Sequence, residues 1–118
     1  MKRLSVIFNK APYGSQAGRE LLDIALMAAA FDMEISAIFI EDGIRQLLNN
    51  QQPDILHMKS HSPTFKAMEL YGIETVLIDR DDLLKQNIAQ EQLLEVAKIT
   101  SGDVIKGHIA GSDFVFML

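Results

Sequence analysis

Apolar positions in this chain follow two rhythms that alternate along its length. Leu4–Phe8 (LSVIF) is a short unbroken run rich in branched side chains, the pattern of a strand buried on both faces. From Gln16 to about Phe31 the period changes. Leu21, Ile24, Ala28 and Phe31 recur at three- and four-residue spacing, and Leu22, Leu26 and Ala29 form a second stripe beside them. This spacing predicts a helix with Ser15 as N-cap and Arg19 and Glu20 in its early turns. Its apolar arc is wider than one face requires, so it is covered on more than one side. Two readings stand: a central helix packed on its own sheet, or a helix that also meets another subunit. Ala28–Ala30 permit close approach in either case.

The alternation continues. Glu34–Ile40 reads as a second strand, and Asp42 as the cap of a short helix over Gly43–Leu48, closed by the polar turn NNQQPD (49–54). His57–Ser62 reads as a loop. Ser62 and Pro63 have N-cap and first-turn chemistry for a helix to about Tyr71, and Gly72 stops it. Ile73–Ile78 reads as a third strand and Asp79–Asn87 as a short charged helix or turn. A fourth strand is expected around Glu95–Ile99, a short helix over Val104–Ala110, and a last strand over Asp113–Leu118. Strands alternating with helices imply βαβ units, hence an α/β fold with a parallel sheet and helices on both faces. Neither repeat nor linker interrupts residues 1–118, which read as one domain.

Composition narrows the function. The chain is 48% hydrophobic and 23% charged, and no apolar run reaches the roughly 18 residues of a membrane span. The opening MKRLSVIFNK has a basic tip, but Lys10 and Pro12 break what a signal peptide needs, so a strand and a cytoplasmic location are expected. The formal net charge is −5 with no basic block, which argues against direct nucleic-acid binding. Cysteine is absent. That excludes disulfides, thiolate metal sites, thiol nucleophiles and a persulfide carried by this chain.

The loop between the first strand and helix, FNKAPYGSQAGREL (Phe8–Leu21), is where open α/β sheets often bind phosphate. It lacks both the G-x-G-x-x-G fingerprint and the G-K-[ST] ending of a P-loop. A helix N-terminus attracts anions, but Glu20 opposes one there. The loop reads better as a chain reversal: Pro12 fixes φ, Gly14 takes an unusual φ, and Gly18 lets the helix approach the sheet. A small anion- or nucleotide-binding enzyme using Gly14 and Gly18 is the competing reading. His57 and His61 are four apart but lie in a Pro/Ser-rich loop without the H-E-x-x-H arrangement, so a solvated loop is favoured over a metal site. His108 suits the end of a short helix. Asp79, Asp81 and Asp82 follow a strand, where a receiver-like Mg²⁺ or phospho-acceptor site is conceivable. Arg80 interrupts the run and no acidic pair follows Phe8, so a charged helix start is favoured. The serine in YGSQA has no nucleophile-elbow context. Neither catalytic residue, cofactor nor metal is assigned.

Three stretches carry a family resemblance: APYGSQAGRELLD (Ala11–Asp23), FIEDGIRQLL (Phe39–Leu48) with QQPD (Gln51–Asp54), and TFKAMELYGIE (Thr64–Glu74). Together they resemble the TusC/DsrF branch of the DsrE/DsrF/DsrH sulfur-relay family, from Met1 to about Ile78 and again in the final strand. The resemblance implies a three-layer α/β/α domain with a five-stranded, mainly parallel sheet. It also implies assembly with TusB-like and TusD-like relatives, two copies of each chain. Such a complex receives persulfide sulfur from a TusA-like carrier and hands it toward a TusE-like carrier, for 2-thiolation of wobble uridine in transfer RNA. DsrE, DsrF and DsrH relatives serve sulfur oxidation instead. The sulfur-carrying cysteine belongs to the TusD/DsrE-type subunit, and this chain has none to place there. Its expected part is architectural. Pro12, Gly14, Gly18 and Arg19 in the loop, the oily helix after it, and the terminal FVFML are the expected assembly surfaces.

Overall fold

The computed structural model describes residues 2–11, 17–48, 68, 72–73, 75–89, 93 and 97–117. Strand β1 (Arg3–Phe8) leads into helix α1 (Ala17–Ala30) and strand β2 (Glu34–Phe39). A 3-10 helix (Glu41–Leu47) follows, then β3 (Thr75–Asp79), α2 (Arg80–Lys85), β4 (Lys98–Thr100), α3 (Gly102–Ala110) and β5 (Phe114–Met117). The five strands form one sheet in the order β4-β3-β2-β1-β5, every pair parallel. This is the expected α/β architecture, with the sheet parallel throughout.

Strand alternation sorts the core into two layers. Leu4, Val6 and Phe8 of β1 join Ile35, Ala37 and Phe39 of β2 and Val76 and Ile78 of β3 on one face. There they meet Leu21, Leu22, Ala25 and Ala28 of α1. The Phe8 and Phe39 rings stack with centroids 4.5 Å apart at the carboxyl end of the sheet. The opposite face is thinner: Ile7, Ile38 and Leu77 pack against Ile105 of α3.

Several boundaries moved for local reasons. Asp42 is not a cap. The 3-10 helix starts after Ile40, whose side chain makes no capping bond, and Asp42 lies in its first turn. Asp79 is the capping residue of α2 and accepts from the backbone N–H groups of Asp81 and Asp82 at 2.9 and 3.3 Å. Ile73 precedes β3, its N–H bonded to the Met68 carbonyl, while Gly72 takes φ +83, the left-handed form that suits a helix-ending glycine. The fourth strand begins only at Lys98. Ser101 caps α3, accepting from the Val104 N–H. The helix expected over Pro63–Tyr71, apart from Met68, lies outside the described residues, as do Ser15, NNQQPD, His57 and His61.

Candidate assembly surface

At the carboxyl edge of the sheet, where α/β ligands usually bind, the described residues bring the 3-10 helix against the strand ends. The 3-10 helix sits directly over the ends of β1 and β2. A Cβ built on Gly43 would lie 1.8 Å from the Phe8 carbonyl oxygen, so the backbone there is in closest contact. The Ile40 N–H bonds that same oxygen at 3.1 Å, and buried Gln46 donates to the Lys10 carbonyl at 3.1 Å. Among the described residues, the 3-10 helix packs directly on the end of β1.

Beside it, the acidic run is engaged in structure. The Asp79 carboxylate caps α2, and Asp82 accepts from the Glu41 N–H at 2.9 Å. Gln86 donates to the Glu41 carbonyl. These contacts hold Glu41 at φ +49, a conformation that costs a non-glycine residue about 1–2 kcal/mol. Among the described residues, no group of three His, Asp or Glu side chains could hold a metal ion. Of the receiver-like set, the Asp79 and Asp82 carboxylates are taken up by backbone N–H groups, and Asp81 is exposed.

The feature that stands out is at the lateral edge. Among the described residues β5 pairs only with β1, and all four of its residues are exposed: Phe114 50%, Val115 46%, Phe116 44% and Met117 55%. Exposed sheet edges are normally shielded by charge, proline or a covering element. Phe-Val-Phe-Met has none of these within the strand. By register Phe114 lies beside Leu4 and Phe116 beside Val6, so both aromatic rings belong to the α1 face, and Val115 and Met117 to the other. Between α1 and β5 runs a groove of about 410 Å³ whose walls include Ile24, Met27, Phe31, Met33, Phe114 and Phe116. Met27 is 63% and Phe31 77% exposed. Glu20, Ile24, Met27 and Phe31 recur at i, i+4, i+7 and i+11, so one side of α1 points along the groove.

The strand is anchored at its foot. The Asp113 N–H donates to the Arg3 carbonyl, and the Asp113 carboxylate accepts from the Arg3 N–H, both at 2.8 Å. Ser112 Oγ donates to the His108 carbonyl at 2.7 Å and contacts Ser5 Oγ, so buried Ser5 donates to Ser112. The uncovered strand is therefore held in place by polar contacts at one end. His108 lies in the last turn of α3, as expected, with Nδ1 3.5 Å from Ser36 Oγ.

Of the loop residues expected at an interface, Pro12 and Gly14 lie outside the described residues. Gly18 is in the first turn of α1, and Arg19 is exposed on it. The wide apolar arc of α1 divides as follows. Leu21, Leu22, Ala25 and Ala28 are buried, Ile24, Leu26 and Ala29 partly so, and Met27 and Phe31 stand out. Sequence reasoning missed Met27 and Gly43. Met27 was findable as the residue three after Ile24 and four before Phe31. Gly43 carries no signal of its own, because its role depends on which strand end lies beneath it.

Fold and surface together define a small, thiol-free α/β/α fold whose 3-10 helix sits over the end of β1 and whose α1/β5 side is apolar and exposed. A family model described as DsrE/DsrF-like matches residues 2–115, and the chain belongs to that family. Among curated relatives, a TusC homolog of Vibrio parahaemolyticus is 39% identical over 90% of each chain. TusC of Shigella flexneri is 33% identical over 98% of each. The intracellular sulfur oxidation protein DsrF of Allochromatium vinosum is 34% identical over 82% of this chain and 71% of its own. The ychN protein from E. coli superimposes with a TM-score of 0.87 over the full length of both chains at 16% identity, which bears on the fold alone. The TusC and DsrF homologues support a role as a sulfur-relay subunit.

Proposed function

We propose that this chain is the non-catalytic subunit of a heterohexameric relay complex, two copies each of this chain and of TusB-like and TusD-like subunits. The complex takes persulfide sulfur from a TusA-like carrier and passes it toward a TusE-like carrier in the cytoplasm. Its end use is 2-thiolation of the wobble uridine of transfer RNA, the branch favoured by TusC homologues spanning nearly the whole chain. The observation that carries the reading is the uncovered β5 strand beside the α1 groove in a chain without cysteine. Sulfur transfer needs a thiolate, so the reactive cysteine comes from the TusD-like companion. This chain's contribution is surface. Burying one Phe or Met side chain contributes about 1.5–3 kcal/mol, so four covered together account for much of a stable contact. An obligate interface buries about 2,000 Å² or more and is core-like in character. The loop residues Pro12, Gly14, Gly18 and Arg19 belong to the same proposed assembly role.

Co-expression with TusB-like and TusD-like chains, followed by size-exclusion with light scattering, tests this. The expected result is one species with the mass of two copies of each chain, from which none of the three separates. A stable wild-type monomer that ignores both companions contradicts it.

A further inference from the structure

The groove beside α1 lies where a further helix could pack. Packed helices lie about 8–10 Å apart, while strands are about 4.8 Å apart, so one helix covers roughly two strands. α1 lies on β1 and β2. On that face the next strand outward is β5, and Phe114 and Phe116, each about half exposed, line the groove. The wall toward α1 is the Ile24–Met27–Phe31 stripe, and the floor includes Leu4. An extended segment added to the free edge of β5 would satisfy backbone groups there but would leave Met27 and Phe31 uncovered. A helix laid alongside α1 covers both the stripe and the two phenylalanines.

Charge selects the kind of helix. Glu20 heads the stripe, and Asp23 and Asp32 are exposed on and just after α1. Against these three acids, the described cations nearby are Lys2, just before β1, and Arg19, exposed beside Glu20 on α1. The balance beside the groove is acidic. A second copy of this chain would bring the same acids and add to a net charge of −5 per chain. Complementary potentials favour a partner with basic flanks.

We infer that the α1/β5 groove receives an amphipathic helix with Lys or Arg beside its apolar stripe, supplied by a companion relay subunit, which completes the helical layer over β5. This rests on the proposed relay assembly and specifies its contact. The docked helix packs its apolar side on Met27, Phe31, Phe114 and Phe116 and sets its basic residues toward Glu20 and Asp23.

The test uses the full complex made by co-expression. Met27→Glu and Phe31→Glu, both at exposed positions, are expected to weaken association at least about tenfold, as for central interface residues. Phe31→Leu is expected to preserve it, and Val115→Glu on the opposite face to change it less than about threefold. A photo-crosslinking amino acid at position 27 is expected to capture a helical segment of a companion subunit. Capture of a strand segment, capture of a second copy of this chain, or sensitivity to Val115→Glu without sensitivity to Met27→Glu would each overturn the inference while leaving the relay assembly standing. A wild-type chain that forms no complex overturns both.

Discussion

Gly43 shows how one position couples two strands. Its α-carbon presses on the Phe8 carbonyl so closely that a methyl group there would lie 1.8 Å from the oxygen. The contact is with backbone, which cannot swing aside. Gly43→Ala is expected to cost about 3 kcal/mol of stability, the upper range of overpacking, measured by urea unfolding. Glu41 offers the opposite case. Its left-handed φ of 49 is imposed by backbone contacts with Asp82 and Gln86, not by its side chain. Glu41→Gly is therefore expected to be neutral or to stabilise by up to about 1 kcal/mol in the same measurement. The exposed Arg3–Glu34 ion pair, at 3.2 Å, contributes little in water, and Glu34→Ala is expected to stay within about 0.5 kcal/mol of wild type.

At the scale of elements, capping chemistry decides where the short helices begin. α2 has only six residues, and the Asp79 carboxylate satisfies two of its free N–H groups. Asp79→Ala is expected to cost about 1 kcal/mol, with faster amide exchange confined to residues 80–86. Strand and helix periods made most of these elements legible. LSVIF, EISAIF and TVLID are continuous apolar runs because both faces are buried, and Ser101 before Gly102 marks α3 in the chain itself. The 3-10 helix was legible only as a short helix. Its true start depends on β2 ending beneath Gly43, which no local signal encodes. β4 has three residues, too few for a period to show, and its start was placed too early. The α1/β5 surface was half legible. The oily arc of α1 and the apolar terminus were visible, but their adjacency needs the strand order, and periodicity does not supply that order.

For the molecule as a whole, the distribution of apolar surface fits an incomplete unit. Among the described residues, one face of the sheet is packed by a continuous core and the other by a smaller cluster around Ile105, and β5 is about half exposed on both. A solitary chain would expose an unshielded strand edge, which promotes self-association. The chain made alone is expected to associate reversibly as concentration rises through the open edge of β5, seen by light scattering, and Phe31→Glu in the groove is expected to leave that association unchanged. The thiol-free composition agrees with a supporting role, because no side chain here can accept or hand on sulfane sulfur.

Sulfur flow through the assembled relay tests the central claim most directly. Radiolabelled persulfide sulfur is loaded onto the donor carrier, and its arrival on the acceptor is followed with wild-type chain, with the Phe31→Glu, Phe116→Glu chain, and with the chain omitted. The wild-type complex is predicted to pass sulfur to the acceptor, the substituted chain to behave like its omission, and any label caught within the complex to sit on the cysteine-bearing companion. Undiminished transfer without this chain, or covalent label on this chain itself, would contradict the account.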